Sequence, residues 1–268
     1  MAADPPAEGF PVISLRGVTL FPGASLRVEI EAEDEGRLRK AFASGDSVAA
    51  LTRSPTEDRR FFTVGTLARV RGFEQMPEGG TRVELEGVAR FRVNRVGARN
   101  DAHVSVLTEL PGDGLDEQTR SAMTRLSALV RELSAGDHTA MLGRLDANTD
   151  PGAHADLIAS ELDSLAARLK LFGNQRIAIP VEEKQAVLEA VDPWARMALV
   201  TKQLLRLRQI STLSTRIEEA QARERPQTRE QHLRLVVKVI EQALAENPDD
   251  PRYLSSFLAG LRKELGQT

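Results

Sequence analysis

The sequence predicts an α+β protein, in which a β-rich N-terminal half is followed by an all-α C-terminal half. Two patterns indicate this class. Over residues 61–96 apolar and polar side chains alternate with a period of two, as in strands that bury one face. Beyond Leu115 apolar residues recur at spacings of three and four, as on one face of a helix. The change of period predicts a boundary between the two halves near this residue.

Three consecutive antiparallel strands are expected within residues 61–96. Pro77, Gly79 and Gly80 supply a hairpin turn between the first two, because proline and glycine do not easily continue a strand. Gly87 is expected to separate the second strand from the third, as a bulge or a tight bend. These strands present surface and carry no catalytic side chain.

Four further strands and one helix complete the predicted β-rich half, which covers residues 10–112 after a disordered tail of residues 1–9. The helix is expected at residues 31–44, with acidic side chains at its start as the helix dipole favours. Gly45 is expected to end it. The strands are expected at residues 10–15, 26–30, 47–52 and 102–110.

The helical half is expected over residues 115–225, and it ends in a long helix. Asp192 as N-cap and Pro193 at the first helical position predict the start of that helix, and Pro226 breaks it. Its narrow apolar seam suits packing against one neighbouring helix, in this chain or in a partner, so self-association through the helical half stays open. Shorter helices are expected around residues 123–133, 157–169 and 182–191.

Two short helices are expected within residues 226–268. Thr228 and Gln231 form a capping box at the start of the first. Asp250 followed by Pro251 repeats the Asp-Pro start signal for the second. The apolar stripes of both helices are expected to belong to the core.

Composition restricts the partners that are expected. The chain has 268 residues, which favours two domains, and its 36 basic and 39 acidic residues are interspersed. The sequence contains no block of basic residues, so a nucleic-acid partner is not expected. Neither a secretory signal nor a run of about 20 apolar residues is present, so no membrane partner is expected. Cysteine is absent, which is compatible with the predicted cytoplasmic location.

No catalytic, metal or cofactor site is predicted. A phosphate-binding loop ending in Gly-Lys-Ser/Thr and a Gly-x-Ser-x-Gly elbow are both missing from the sequence. Lys184 has acidic neighbours and is expected to be exposed and ion-paired. The histidines are isolated from one another at positions His103, His138, His154 and His232.

Three residues are candidates for partner binding. Phe73 and Met76 lie near the predicted hairpin tip, where a ring and a thioether suit adaptable apolar contacts with a peptide. The alternative is that Phe73 folds back under the sheet. Phe21, in the Leu20–Phe21–Pro22 turn, either contacts a ligand or caps the β-rich half. Trp194 is expected to lock the long helix onto the preceding helix.

The segments PVISLRGVTLFPGASLRVEI, FFTVGTLARV and TRVELEGVARFRV together resemble the N-terminal substrate-recognition domain of Lon-type ATP-dependent proteases. DPGAHADLIASEL and VEEKQAVLEAVDPWARMALVTKQLLRLRQI are similar to the helical subdomain of the same family. The resemblance covers Phe10 to about Arg225. It implies a small β pseudo-barrel with one short helix, then a helical bundle that leads into a long helix.

The resemblance implies a non-catalytic module that recognises unfolded or specific protein segments, and an adaptor that delivers substrates to a Lon protease or competes with it. The family's ATPase and Ser-Lys protease modules have no counterpart in this sequence, and the residues after Pro226 depart from the family's pattern. These departures favour a stand-alone protein. The alternative is the N-terminal part of an ATP-dependent Lon protease. A third possibility, a small-molecule binder, would need a partner domain with cysteine zinc ligands.

Overall fold

A computed structural model describes residues 9–56, 60–97, 100–108, 116–134, 139–169, 177–246 and 251–266. Within them the expected α+β class is confirmed. The strands are β1 (Phe10–Leu15), β2 (Ser25–Ile30), β3 (Ser47–Thr52), β4 (Val64–Gln75), β5 (Thr81–Val96) and β6 (Asp101–Val106). The helices are α1 (Ala32–Ser44), α2 (Glu117–Ser134), α3 (Thr139–Ala147), α4 (Pro151–Ala167), α5 (Val181–Glu189), α6 (Pro193–Glu224), α7 (Arg229–Glu246) and α8 (Pro251–Glu264).

Five strands close into a small ring, which confirms the expected pseudo-barrel. The order is β5-β4-β3-β1-β6, and β6 pairs again with β5. β1 and β3 are parallel because β2 and α1 form a crossover between them. One apolar cluster takes a residue from every strand of the ring and fills its interior: Val12, Ala49, Leu51, Leu67, Phe91 and Ala102.

β2 lies outside the ring. It pairs with residues 81–86 of β5, whereas β6 pairs with residues 91–96 on the same side of that strand. β5 therefore carries β4 along one side and shares its other side between two strands. Among the described residues, β5 is the only strand paired with β2.

The second and third strands predicted within residues 61–96 are one continuous strand, β5. Its pairing with β4 jumps from Leu67↔Ala89 to Ala68↔Gly87, so Val88 is the extra residue of a bulge. The bulge expected at Gly87 is confirmed, whereas the expectation that it separates two strands is wrong, because the ladder continues past the bulge. The predicted hairpin turn is confirmed, and Gly79 and Gly80 have φ of 87° and 93°.

The two halves share one continuous hydrophobic core. It contains Ile13 and Val83 from strands, Leu38 from α1 and Leu204 from α6. The predicted limits at residues 112 and 115 and the tail of residues 1–8 fall outside the described residues. A division into two domains at that point stays a prediction.

The long helix starts and ends where the sequence indicates. The Asp192 carboxylate accepts hydrogen bonds from the backbone N–H groups of Trp194 and Ala195, at 3.2 and 3.3 Å. Arg225 caps the other end in the left-handed conformation, directly before Pro226. Other helices of the same chain contact α6, and the seam is buried: Met197, Val200, Leu204, Leu207, Ile210, Leu213 and Ile217.

Three helical features differ from expectation. α3 lies between the helices expected around residues 123–133 and 157–169 and is itself not predicted. Only two of its residues, Met141 and Leu145, are buried, so its apolar period is weak. Trp194 is 40% exposed, which is more than expected of a side chain that locks α6 to the preceding helix. Lys184 is buried rather than exposed, and its ammonium group bonds to the Asp163 carboxylate at 2.5 Å.

A buried ion-pair triad joins the β ring to the helices. The Asp156 carboxylate, in α4, accepts from Arg90 Nη1 of β5 at 2.7 Å and from Arg196 Nη1 of α6 at 3.0 Å. Arg90 Nε also donates a hydrogen bond, at 2.9 Å, to the backbone carbonyl of Leu188 near the end of α5. Arg90 is buried, although it alternates with the apolar Phe91 in the sequence. The triad connects one strand to three helices.

His154 lies buried where α2, α3 and α4 meet. Its Nε2 atom is 3.3 Å from the Ser127 hydroxyl. Burial lowers the pKa of His154 below its ordinary value of 6.5, although nearby backbone carbonyls and Asp146 act in the opposite direction. The imidazole is therefore neutral in the folded protein near pH 7.

We expect the protein to lose stability as the pH falls below about 6.5, because the unfolded chain then binds a proton on His154 that the folded chain binds less readily. The slope from this one residue is at most about 1.4 kcal/mol per pH unit. Urea unfolding between pH 8 and pH 5 measures it. His154→Gln should flatten the slope, and an unchanged slope in that variant would exclude His154 as the cause.

Candidate functional site

An aromatic pair lies on the surface where α1 meets β4. The rings of Phe42 and Phe73 contact edge to face, with centroids 5.7 Å apart and planes at 83°. The Arg39 guanidinium stacks over the Phe73 ring, 4.5 Å from its centroid. Phe42 is 47% exposed, while Phe73 is half-buried against the core. We call Arg39, Phe42 and Phe73 the aromatic surface.

A second bulge in β4 positions Phe73. The pairing with β5 jumps from Val70↔Leu85 to Gly72↔Glu84, so Arg71 is the extra residue. Side chains alternate along a strand, and one extra residue moves every following side chain to the other face. Phe73 therefore lies on the same face as Val70, beside α1.

Hydrogen bonds fix α1 to the base of the hairpin. The Glu35 carboxylate accepts from Arg39 Nε at 2.8 Å and from the Thr81 hydroxyl at 2.9 Å. The bond from Arg39 contributes most to lowering the pKa of the Glu35 carboxyl, and the bond from Thr81 lowers it further. Gln75 donates in turn to Thr81 at 3.0 Å. Arg39 is thus held over the Phe73 ring before any partner binds.

The outer face of the same strands is polar. Arg27 of β2 pairs with Glu84 of β5 at 3.4 Å, and Arg82 pairs with Glu74 at 3.6 Å. Gly72 has nothing within 4 Å of the place where a Cβ atom would stand, and it leaves a shallow groove of about 310 Å³ between these pairs. The hairpin is therefore aromatic on one face and charged on the other.

The structure separates the three predicted partner-binding residues. Phe73 belongs to the aromatic surface, and Met76 is half-buried in the turn, where its N–H donates to the Gly80 carbonyl at 3.1 Å. Phe21 is fully buried in the core, so the expectation that it contacts a partner is corrected in favour of the capping alternative. Its backbone carbonyl accepts from Ala24 N at 3.1 Å in a tight turn that packs on the sheet.

Phe42 and Arg39 are the members that sequence reasoning missed. In the sequence Phe42 stands at helical spacing with Leu38 and Ala41, as a residue of the same apolar face would. In the structure Leu38 and Ala41 are buried, whereas Phe42 lies at the border of that face. An aromatic residue beside an otherwise charged helix surface was the available signal.

Membrane and metal chemistry receive no support from the described residues. No described helix combines the length and the apolar character that a membrane crossing requires. Groups of three or more potential metal-ligating side chains are likewise not found in the described part of the chain.

The architecture of a small closed β ring, one short helix and a helical bundle is that of Lon protease N-terminal domains. The N-terminal domain of a Mycobacterium avium complex Lon protease is 20% identical, with a TM-score of 0.54 over 73% of this chain and 97% of that one. A Lon N-terminal domain protein from Xanthomonas campestris is 19% identical, with a TM-score of 0.50 over 72% of this chain and 96% of that one. These likenesses show the fold.

The family follows from the sequence match. The model of the ATP-dependent protease La (LON) substrate-binding domain matches residues 9–206, most of the chain. The chain therefore belongs to the Lon substrate-binding domain family, as the resemblance implied.

Curated relatives extend the match into the terminal helices. Lon protease 2 of Myxococcus xanthus is 32% identical over 88% of this chain and 28% of its own length. The Lon protease of Azorhizobium caulinodans is 27% identical over 97% of this chain and 28% of its own length. A match over 97% of the chain includes α7 and most of α8, whereas the family model stops at residue 206, so the expected departure after Pro226 stays a prediction. The chain spans less than a third of both relatives.

Proposed function

We propose that this protein is a non-catalytic recognition module that binds unfolded or specific protein segments through its β-rich half, in the cytoplasm. The observation that carries the proposal is the aromatic surface, exposed and already held in place by the Glu35 network, on a member of a substrate-binding domain family. Exposed rings on a rigid sheet suit weak and broad recognition of apolar segments.

The aromatic surface offers two kinds of contact. The exposed Phe42 ring provides apolar area to an aromatic or aliphatic side chain, and the half-buried Phe73 ring supports it from below. Arg39 adds a cation that faces aromatic rings or carbonyl groups of a client. Met76, at the adjacent turn, can adapt its unbranched side chain to different clients.

We expect Phe42→Ala to weaken binding of a reduced and alkylated, permanently unfolded polypeptide by about five- to ten-fold, since an aromatic anchor contributes more than about 1 kcal/mol. Fluorescence anisotropy of the labelled polypeptide measures this. Leu205→Ala is the matched control, because Leu205 is 42% exposed on α6 and should leave binding unchanged. The double variant Phe73→Ala, Met76→Ala should weaken binding further.

Two results would contradict this proposal. One is the absence of binding by the unaltered protein at tens of micromolar. The other is equal binding by the Phe42→Ala and Leu205→Ala variants. Circular dichroism of the Phe73→Ala, Met76→Ala variant checks the assignment of the site, since unfolding would place these two side chains in the core.

A second candidate is recognition on behalf of an ATP-dependent Lon protease, either within one longer chain or as a separate adaptor. The observation that favours it is the coverage of full Lon proteases, of which this chain spans 28% in the two relatives above. A Gly-x4-Gly-Lys-Ser/Thr motif downstream in the same reading frame would establish the first form. Co-purification with a separate Lon protease would support the second.

A further inference from the structure

β2 has one unpaired edge. Ala24 O accepts from Gly87 N of β5 at 2.9 Å, just before β2 begins. The N–H and C=O groups of every second residue point to the same side of a strand. Those of Leu26, Val28 and Ile30 therefore point toward β5, as the carbonyl of Ala24 does. The N–H and C=O groups of Arg27 and Glu29 therefore point to the open side, where the described residues provide no strand.

A groove of about 540 Å³ runs along this open edge. Val28, Glu29 and Ile30 all line it, although successive side chains of a strand point to opposite faces. Residues of both faces meet only at the edge of a strand, so the groove follows the edge. Ile13 of β1 and Val18 form its opposite wall. The groove beside the free backbone groups therefore has apolar side chains on both of these segments, together with polar ones.

The rim of the groove is predominantly acidic. Its charged residues are three acids, Glu29, Glu31 and Asp34, and one base, Arg16. Arg16 already bonds to Glu31 at 2.5 Å, and Arg37 pairs with the buried Asp34. Glu29 has no ion-pair partner among the described residues and stands next to the free backbone groups. An occupant with positive charge would complement this rim.

We propose that the open edge of β2 binds an extended, positively charged segment of a client polypeptide as an additional strand. The inference rests on the proposed function and names its substrate class: segments in which apolar residues alternate with lysine or arginine. Backbone hydrogen bonds to Arg27 and Glu29 hold the segment in any sequence. Its apolar side chains cover Val18 and Val28, and its cationic side chains reach the acidic rim.

The edge is separate from the aromatic surface, although both lie beside α1. Asp34, in the first turn of α1, lines the groove, and Phe42, in its last turns, carries the exposed ring. The two sites make different demands on a client, because the groove selects an extended backbone and positive charge while the rings select apolar side chains. Each can be tested without the other.

The test uses the full chain and a fluorescent peptide of about ten residues in which valine alternates with lysine, a length that suits one strand. We expect this peptide to bind, and the counterpart with glutamate in place of lysine to bind at least about ten-fold more weakly. Methyl groups on the central backbone amides of the lysine peptide should also weaken binding at least about ten-fold, since they remove its donors.

Two variants at one position separate the backbone from the charge. Glu29→Pro removes a donor from the open edge without breaking a bond to β5, and it should weaken binding at least about ten-fold. Glu29→Ala keeps the donor and should weaken binding no more than about three-fold, because an exposed charge contributes little. If circular dichroism shows that the Glu29→Pro variant is unfolded, the test is instead the comparison of methylated and unmethylated peptides binding to the unaltered protein.

Equal binding of the methylated and unmethylated peptides, or unchanged binding by a folded Glu29→Pro variant, would overturn the inference. If the lysine peptide fails to bind while the unfolded polypeptide binds and Phe42→Ala weakens it, the edge is wrong and the proposed function stands. If neither ligand binds, both fail. A dimer in sedimentation that Glu29→Pro dissociates would also overturn the inference, since a second copy would then occupy the edge.

Discussion

Asp156→Ala is expected to destabilise the protein by about 3–5 kcal/mol, the largest single-residue effect that the structure indicates. The carboxylate is 2% exposed, and the side chains of Arg90 and Arg196 that it bonds are both 0% exposed. Removing it leaves two guanidinium groups inside the protein without their shared anion. Neither guanidinium group can reach water without opening the junction between β5 and the helices. The buried unpaired charges therefore favour the unfolded state.

Urea unfolding followed by circular dichroism measures this effect. The matched control is Asp146→Ala, which removes the carboxylate of an exposed pair that Arg131 Nη2 contacts at 2.6 and 2.7 Å. That change should cost no more than about 1 kcal/mol, because exposed pairs are screened by solvent. Similar losses in both variants would show that the buried triad does not hold the two halves together.

Gly87→Ala is the second large expectation, with a loss of about 3 kcal/mol or more from steric overlap. A Cβ atom at this position would lie 2.1 Å from the carbonyl oxygen of Phe21 and 2.9 Å from its carbon. Hydrogen bonds hold the backbone at Gly87 and the turn that contains Phe21 against each other, so neither segment moves away easily. Gly87 N donates to Ala24 O, and Gly23 N donates to Gly87 O, both at 2.9 Å.

Gly72→Ala is the control for this substitution. Gly72 is on the neighbouring strand β4, and nothing lies within 4 Å of its Cβ position. It should change stability by less than about 0.5 kcal/mol, as surface substitutions usually do. A Gly87→Ala variant as stable as Gly72→Ala would mean that the Phe21 turn moves away from β5 at little energetic cost.

Local chemistry made much of the fold predictable. The turn at Gly79 and Gly80 needs positive φ, the Asp192–Pro193 start supplies a cap and a preset φ, and the capping box of Thr228 and Gln231 forms with bonds of 3.2 and 3.3 Å. Each of these signals acts within a few residues. The predicted limits of the strands at residues 10–15 and 47–52 are those of β1 and β3, because the signals that set them are also local.

Tertiary contacts account for what sequence reasoning missed. Arg90 and Lys184 are buried only because Asp156 and Asp163 reach them from α4, and no local pattern announces a partner so distant in the chain. The bulge at Arg71 changes which face Phe73 occupies, and period-two alternation cannot show it. The candidate site was therefore half predictable: Phe73 was found in the sequence, whereas Phe42 and Arg39 required the packing of α1.

Closure of the β ring joins the first strand of the chain to the last. Phe10 at the start of β1 pairs with Ala102 of β6, so the first strand waits for the last. During N-to-C synthesis the free edge of β1 stays exposed until β6 has emerged, and exposed edges favour aggregation. A chain that stops before residue 101 would keep that edge open permanently. Closure of the ring therefore needs the chain through β6, which ends at Val106.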